Sequence, residues 1–99
     1  MRTRKQVLWW LFSGMKGGYN RALIVLSLMK EPQNAHQLSQ SIGIDYKTVR
    51  HHLMVLEKNN MVECIGSGYG NCYFFKDIDE DERGTLSYIL NKMGLEGLR

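Results

Sequence analysis

Several ingredients of common protein classes are scarce or missing in this chain. Cysteine occurs twice, at Cys64 and Cys72, which is too few for a disulfide scaffold and suits a reducing cytoplasm. Proline occurs once, and Pro32 forces the end of a helix. The apolar run Val7–Phe12 follows a basic start and superficially resembles a secretory leader. It is shorter than the usual apolar region of such a leader, and no small-x-small cleavage site follows it. A bilayer span needs about 20 apolar residues, so no membrane span is expected. No glycine loop lies between a strand and a helix, where it could cradle phosphate. No Ser/His/Asp set or carboxylate pair stands out, so an enzyme is not expected. Neither C-x-x-C nor H-x-x-x-H spacing occurs, so neither metal nor cofactor is expected.

What is present fits one domain. Ninety-nine residues, 43% apolar and 23% charged, are enough for a small core. The net charge of +3 is modest, but it is unevenly spread. Residues 1–60 hold nine Lys/Arg against three Asp/Glu, whereas residues 61–99 hold four against seven. A basic front and an acidic tail suggest that the front meets a polyanion.

The pattern of elements is legible. Residues 5–15 predict a short helix that is apolar nearly all round, through Val7, Leu8, Trp9, Trp10, Leu11, Phe12 and Met15. Such a helix needs cover on more than one side. Gly17-Gly18 breaks the chain, and a core helix follows from about Tyr19 to Lys30. Asn34, with Gln37 three residues on, has the form of a capping box for a helix over 35–41 that ends at Gly43. Asp45 caps the next helix, which runs to about Asn60. Short β-rich runs at 61–65 and 71–76 flank Gly66-Ser67-Gly68-Tyr69-Gly70, a hairpin pattern. Acidic residues 77–82 suit the start of a last helix, in which Leu86, Ile89, Leu90 and Met93 form an amphipathic stripe.

On a helical wheel, residues 45–60 separate into two faces. Val49, His52, Leu53 and Leu56 point to the core. Lys47, Arg50, His51, Met54 and Lys58 spread over the other side. A capped short helix, a glycine turn, a second helix and a hairpin form a DNA-binding module, with the second helix in the major groove. Arg50 and Lys47 would donate to guanine edges or to phosphates. Tyr46 and Thr48 would reach phosphates, and His51 a base or a phosphate. At the hairpin, Tyr69 and Asn71 are the polar groups available to DNA, since the tip carries no Lys or Arg. Cys64 and Cys72 face each other if Ser67–Tyr69 form a three-residue loop. A one-residue change of register would place them diagonally. Two buried, inert thiols are the simpler reading, and a redox switch that stiffens or distorts the wing is the alternative.

The segment LSQSIGIDYKTVRHHLMVLEKNNMVECIGSGYGNCYFF resembles the winged-helix regulators of the ArsR-like group. Trp9-Trp10-Leu11-Phe12 and Gly17-Gly18-Tyr19-Asn20-Arg21 are similar to the openings of its small archaeal members. The resemblance covers about residues 8–76 and implies a homodimeric transcription regulator. It also implies dimerisation through terminal helices, here Val7, Leu8, Trp9, Trp10, Leu11 and Phe12 with Leu86, Ile89, Leu90 and Met93. Members that sense metals carry a cysteine pair in or near the recognition helix. This helix has none.

The sequence therefore predicts a mainly α protein with a small β-hairpin, a single winged helix-turn-helix domain with additional N- and C-terminal helices. Its parts are an apolar helix over 1–16, the winged core over 17–77 and an amphipathic helix over 78–99. The expected function is sequence-specific binding of double-stranded DNA by a cytoplasmic homodimeric regulator. The alternative is a winged helix used for protein–protein contact in a transcription or membrane-associated assembly. A small-molecule effector is not specified by the residues.

Overall fold

A computed structural model describes residues 2–14, 16–66 and 71–95. The chain opens with helix α1, Arg4–Trp9, which passes directly into a π-helical stretch at Trp10–Gly14. Then come α2 (Gly18–Lys30), α3 (Ala35–Ile42), α4 (Tyr46–Lys58), strands β1 (Val62–Ile65) and β2 (Cys72–Phe75), and α5 (Glu80–Lys92).

Most boundaries have local causes. Thr3 caps α1 through a capping box with Gln6, a Thr-x-x-Gln pattern that sets the helix start one residue earlier than the apolar run suggests. Asn34 and Gln37 form the expected box on α3: Gln37 N donates to Asn34 Oδ1 at 2.7 Å and Asn34 N to Gln37 Oε1 at 2.9 Å. Gly43, at φ 70°, ends α3 in the left-handed region, where a residue without Cβ carries no steric cost. Asp45 caps α4, and Asp79 caps α5 with Glu80, Asp81 and Glu82 in the first turn. Those three carboxylates oppose the positive end of the helix dipole.

The expected single N-terminal helix over 5–15 is instead α-helical and then π-helical. One cause is on hand. Arg21 of α2 is almost fully buried, and its Nε donates to the Leu11 carbonyl at 2.7 Å. A side chain that takes up a carbonyl of the ladder favours a local change of winding. The two glycines before α2 allow this approach. A Cβ on Gly17, which has φ 88°, would stand 2.8 Å from His52 Cε1, and one on Gly18 would collide with the Phe12 carbonyl.

The core joins all helices. Leu8, Leu11 and Phe12 pack with Ile24, Val25, Leu38, Val49, Leu53, Leu56, Leu86, Ile89 and Leu90, all of them buried. Two ion pairs add to the seam between α1 and α5, the part-buried Arg4–Glu82 and the exposed Lys5–Asp81, each at 3.2 Å. Arg4 also donates through Nη1 to the Asn59 carbonyl at 2.8 Å, at the end of α4. One side chain thus ties three helices together.

β1 and β2 pair antiparallel with Val62 opposite Phe75, Cys64 opposite Tyr73 and Ile65 opposite Cys72. This register corrects the facing arrangement of the two cysteines. Side chains alternate across a strand, so Cys64 shares a face with Tyr73 while Cys72 points to the other face. Both thiols are free, and a disulfide between them within this hairpin is excluded by register. The architecture is a helix-turn-helix (α3–α4) followed by a β-hairpin wing, framed by α1 and α5. No helix among the described residues is long and apolar enough to cross a membrane.

Candidate nucleic-acid interface

The exposed face of α4 is held from beneath and from both ends. Val49, Leu53 and Leu56 are buried in the core, and His52 is 5% exposed. His52 Nδ1 lies 3.2 Å from Arg21 Nη1. Because guanidinium can only donate, the imidazole nitrogen facing it must accept. Burial, then the positive charge of Arg21, then that of His51, hold the His52 pKa below 6.5. The imidazole is therefore a neutral acceptor that ties α4 to α2 through Arg21. Arg21 itself reaches on to the carbonyl of Lys16 at 3.4 Å.

The wing is fixed to the helix-turn-helix by the segment before α3. Gln33 and Tyr73 exchange backbone hydrogen bonds, Gln33 N to Tyr73 O at 3.0 Å and Tyr73 N to Gln33 O at 2.8 Å. The Gln33 amide donates to Ser27 Oγ at 2.8 Å. Gln33 thus acts as a one-residue third strand anchored to α2. It ties the wing to the segment that leads into α3.

Two adjoining grooves result. The first, of about 600 Å³, lies between the start of α3, the first turns of α4 and the wing, and is lined by Asn34, Ala35, His36, Tyr46, Arg50, Asn71 and Tyr73. The second, of about 390 Å³, follows the outer face of α4 and is lined by Tyr46, Lys47, Arg50, His51, Met54, Glu57 and Tyr73. Tyr46, Arg50 and Tyr73 belong to both. Burial, and next the neighbouring Cys64, push the Tyr73 phenol up, so it is a neutral hydroxyl at the floor where the grooves meet.

Of the residues expected at DNA, Tyr46, Lys47, Arg50 and His51 are brought together along one exposed face. Asn71 joins them across the first groove, and its buried Oδ1 has no hydrogen-bond partner among the described residues. Thr48 is placed differently. Its hydroxyl donates to Asp45 Oδ1 at 2.7 Å and its backbone N–H to Asp45 Oδ2 at 3.2 Å. These bonds lower the Asp45 pKa and make Thr48 part of the α4 cap, outside both grooves. Tyr69 lies outside the described residues. Sequence reasoning missed His36, Tyr73, Met54 and Glu57. Met54 was visible on the wheel, whereas the positions of His36 and Tyr73 depend on the Gln33 bridge. Among the described residues no cluster of three or more His, Cys, Asp or Glu is placed to hold a metal ion.

Residues 19–63, from α2 through the start of β1, match the model of the bacterial regulatory protein family arsR. The matched segment holds α2, α3 and α4 and is similar to the helix-turn-helix of that family. It spans nearly half of the chain. The whole arrangement is similar to the reduced form of the transcriptional regulator YodB from B. subtilis, at 21% identity and a TM-score of 0.64. The similarity covers 95% of this chain and 89% of that one, well beyond the segment matched by the family model. No curated protein matches the chain.

Proposed function

We propose that the chain is a transcription regulator that binds double-stranded DNA sequence-specifically as a homodimer, with α4 in the major groove. The observation that carries this reading is the exposed face of α4. Lys47, Arg50 and His51 stand on it beside Tyr46, within the grooves bounded by α3 and the wing. Donors on a rigid helix suit base edges and phosphates alike. Asn71 and Tyr73 on the wing side, with His36 at the start of α3, suit the flanking backbone. The arsR-family match and the fold shared with a transcriptional regulator support the same reading.

For the dimer, Val7, Trp9, Trp10 and Met93 of the expected residues keep exposed surface, and the other six do not. Leu8, Leu11, Phe12, Leu86, Ile89 and Leu90 are buried in the core of one chain, where they cannot also meet a partner surface. Trp9 (39% exposed) and Tyr88 (53% exposed) remain, stacked edge to face at 5.9 Å. Arg2 lies over Trp10 at 5.1 Å and Lys92 over Tyr88 at 5.5 Å. Half-buried Val7, Trp10 and Met93 complete an aromatic face of the kind enriched at interfaces. Closed twofold pairing through this face would present two α4 helices to a palindromic site, with half-sites about one helical turn or a multiple apart.

Fluorescence anisotropy with duplex DNA tests the reading. Binding should weaken steeply with salt, and the double variant Lys47→Ala, Arg50→Ala should reduce affinity by at least about tenfold and flatten the salt slope. A folded double variant with unchanged affinity would overturn the major-groove reading and leave α4 as a protein-contact surface.

A further inference from the structure

The outer face of α4 carries one apolar side chain with no place in the core. At about 100° per residue, Lys47, His51, Met54 and Lys58 lie within about 30° of the direction opposite the buried residues. Met54 is 49% exposed. Its helical neighbours three and four residues away on this face are Arg50, His51, Glu57 and Lys58, so a thioether stands at the centre of a charged and polar ring. It lines the second groove together with Tyr46, Lys47, Arg50 and Tyr73.

We infer that Met54 is a specificity-determining residue that reads the C5-methyl group of a thymine. The inference rests on the proposed placement of α4 in the major groove. Phosphates and sugars offer no methyl for a thioether to cover. In the major groove, thymine alone among the bases presents one, beside its O4 acceptor. The ring matches that edge, because Arg50 or Lys58 can donate to O4 while Met54 covers the methyl. Glu57 strengthens the assignment. It lines the same groove, and its carboxylate would be repelled by phosphate, so this part of the helix suits the groove floor rather than the backbone wall. The flexible, polarisable side chain of methionine adapts to such a contact.

The test uses the full chain and the tightest duplex recovered from a randomised pool. Each thymine is replaced in turn by deoxyuridine, which removes the methyl and leaves the pairing intact. One thymine per half-site should then lose about fourfold in affinity, the value of one buried methyl-sized group. In Met54→Ala the same replacement should change nothing. Met54→Leu should retain part of the preference. Neutral replacement at every thymine in the wild-type protein would overturn the inference, as would a uridine penalty that persists in Met54→Ala. Absence of salt-sensitive binding to any duplex would instead remove the proposed function, and this assignment with it.

Discussion

His52 shows how a single residue joins stability to the geometry of the interface. Its neutral imidazole accepts from Arg21 inside the fold, and burial and nearby positive charge hold its pKa below the ordinary 6.5. The unfolded chain takes up that proton near 6.5, whereas the folded chain takes it up only at lower pH. The native state therefore has its full stability above about pH 6.5, and loses the His52 share as pH falls below that value. Urea unfolding midpoints should fall between pH 7.5 and pH 5. The fall should be smaller in His52→Asn, whose amide oxygen can take the accepting position without titrating. An equal slope in both proteins would mean that the imidazole is not the titrating group. His51, next in sequence, stands exposed on the other side of the same helix. One step of about 100° separates a core acceptor from a candidate DNA contact.

At the scale of elements, caps and glycines mark most helix ends, and α5 shows where a glycine has no such role. Gly84 lies inside α5, and a Cβ there would meet nothing within 4 Å. Gly84→Ala should therefore stabilise the fold by about 0.5–1 kcal/mol through helix propensity and the reduced entropy of the unfolded chain. Chemical denaturation of the two proteins measures this directly, and a loss of stability would show that the glycine has a packing role. Gly17 and Gly18 are the opposite case, since His52 and the Phe12 backbone occupy the space that a side chain would need. The hairpin is also more than a decoration on α4. Gln33 bonds it to the segment before α3, so the width of the first groove is set by backbone hydrogen bonds rather than by mobile side chains.

At the scale of the whole molecule, the terminal helices belong first to the fold of one chain. Leu8, Leu11 and Phe12 fill the core beside Leu86, Ile89 and Leu90, so removing residues 1–14 should unfold the protein rather than only separate subunits. The proposed dimer is better probed on its exposed aromatics. Trp9→Ala combined with Tyr88→Ala should shift light-scattering mass from dimer to monomer while the circular dichroism spectrum stays native. Persistence of the dimer in that variant would move the interface elsewhere. Arg4, bonded to both Glu82 and the Asn59 carbonyl, connects this face to the end of α4.

Local chemistry alone determined much of this protein. Asn34 with Gln37, Gly43, Asp45 and the acidic run before α5 each bind or bend backbone within a few residues of themselves, so helix order and the candidate contacts of α4 could be read directly. The wheel likewise separated His52 from Lys47, Arg50 and His51. Three matters required the tertiary structure. Hairpin register depends on which strand faces the core, and a shift of one residue put Cys64 and Cys72 on opposite sides. The apolar residues of α1 and α5 were recognisable as needing cover. Only their mutual packing showed that most of them cover each other within one chain. Finally, the groove that gathers His36, Arg50, Asn71 and Tyr73 is formed by residues distant in sequence. Its shape rests on the Gln33 bridge, which no periodicity or local motif could announce.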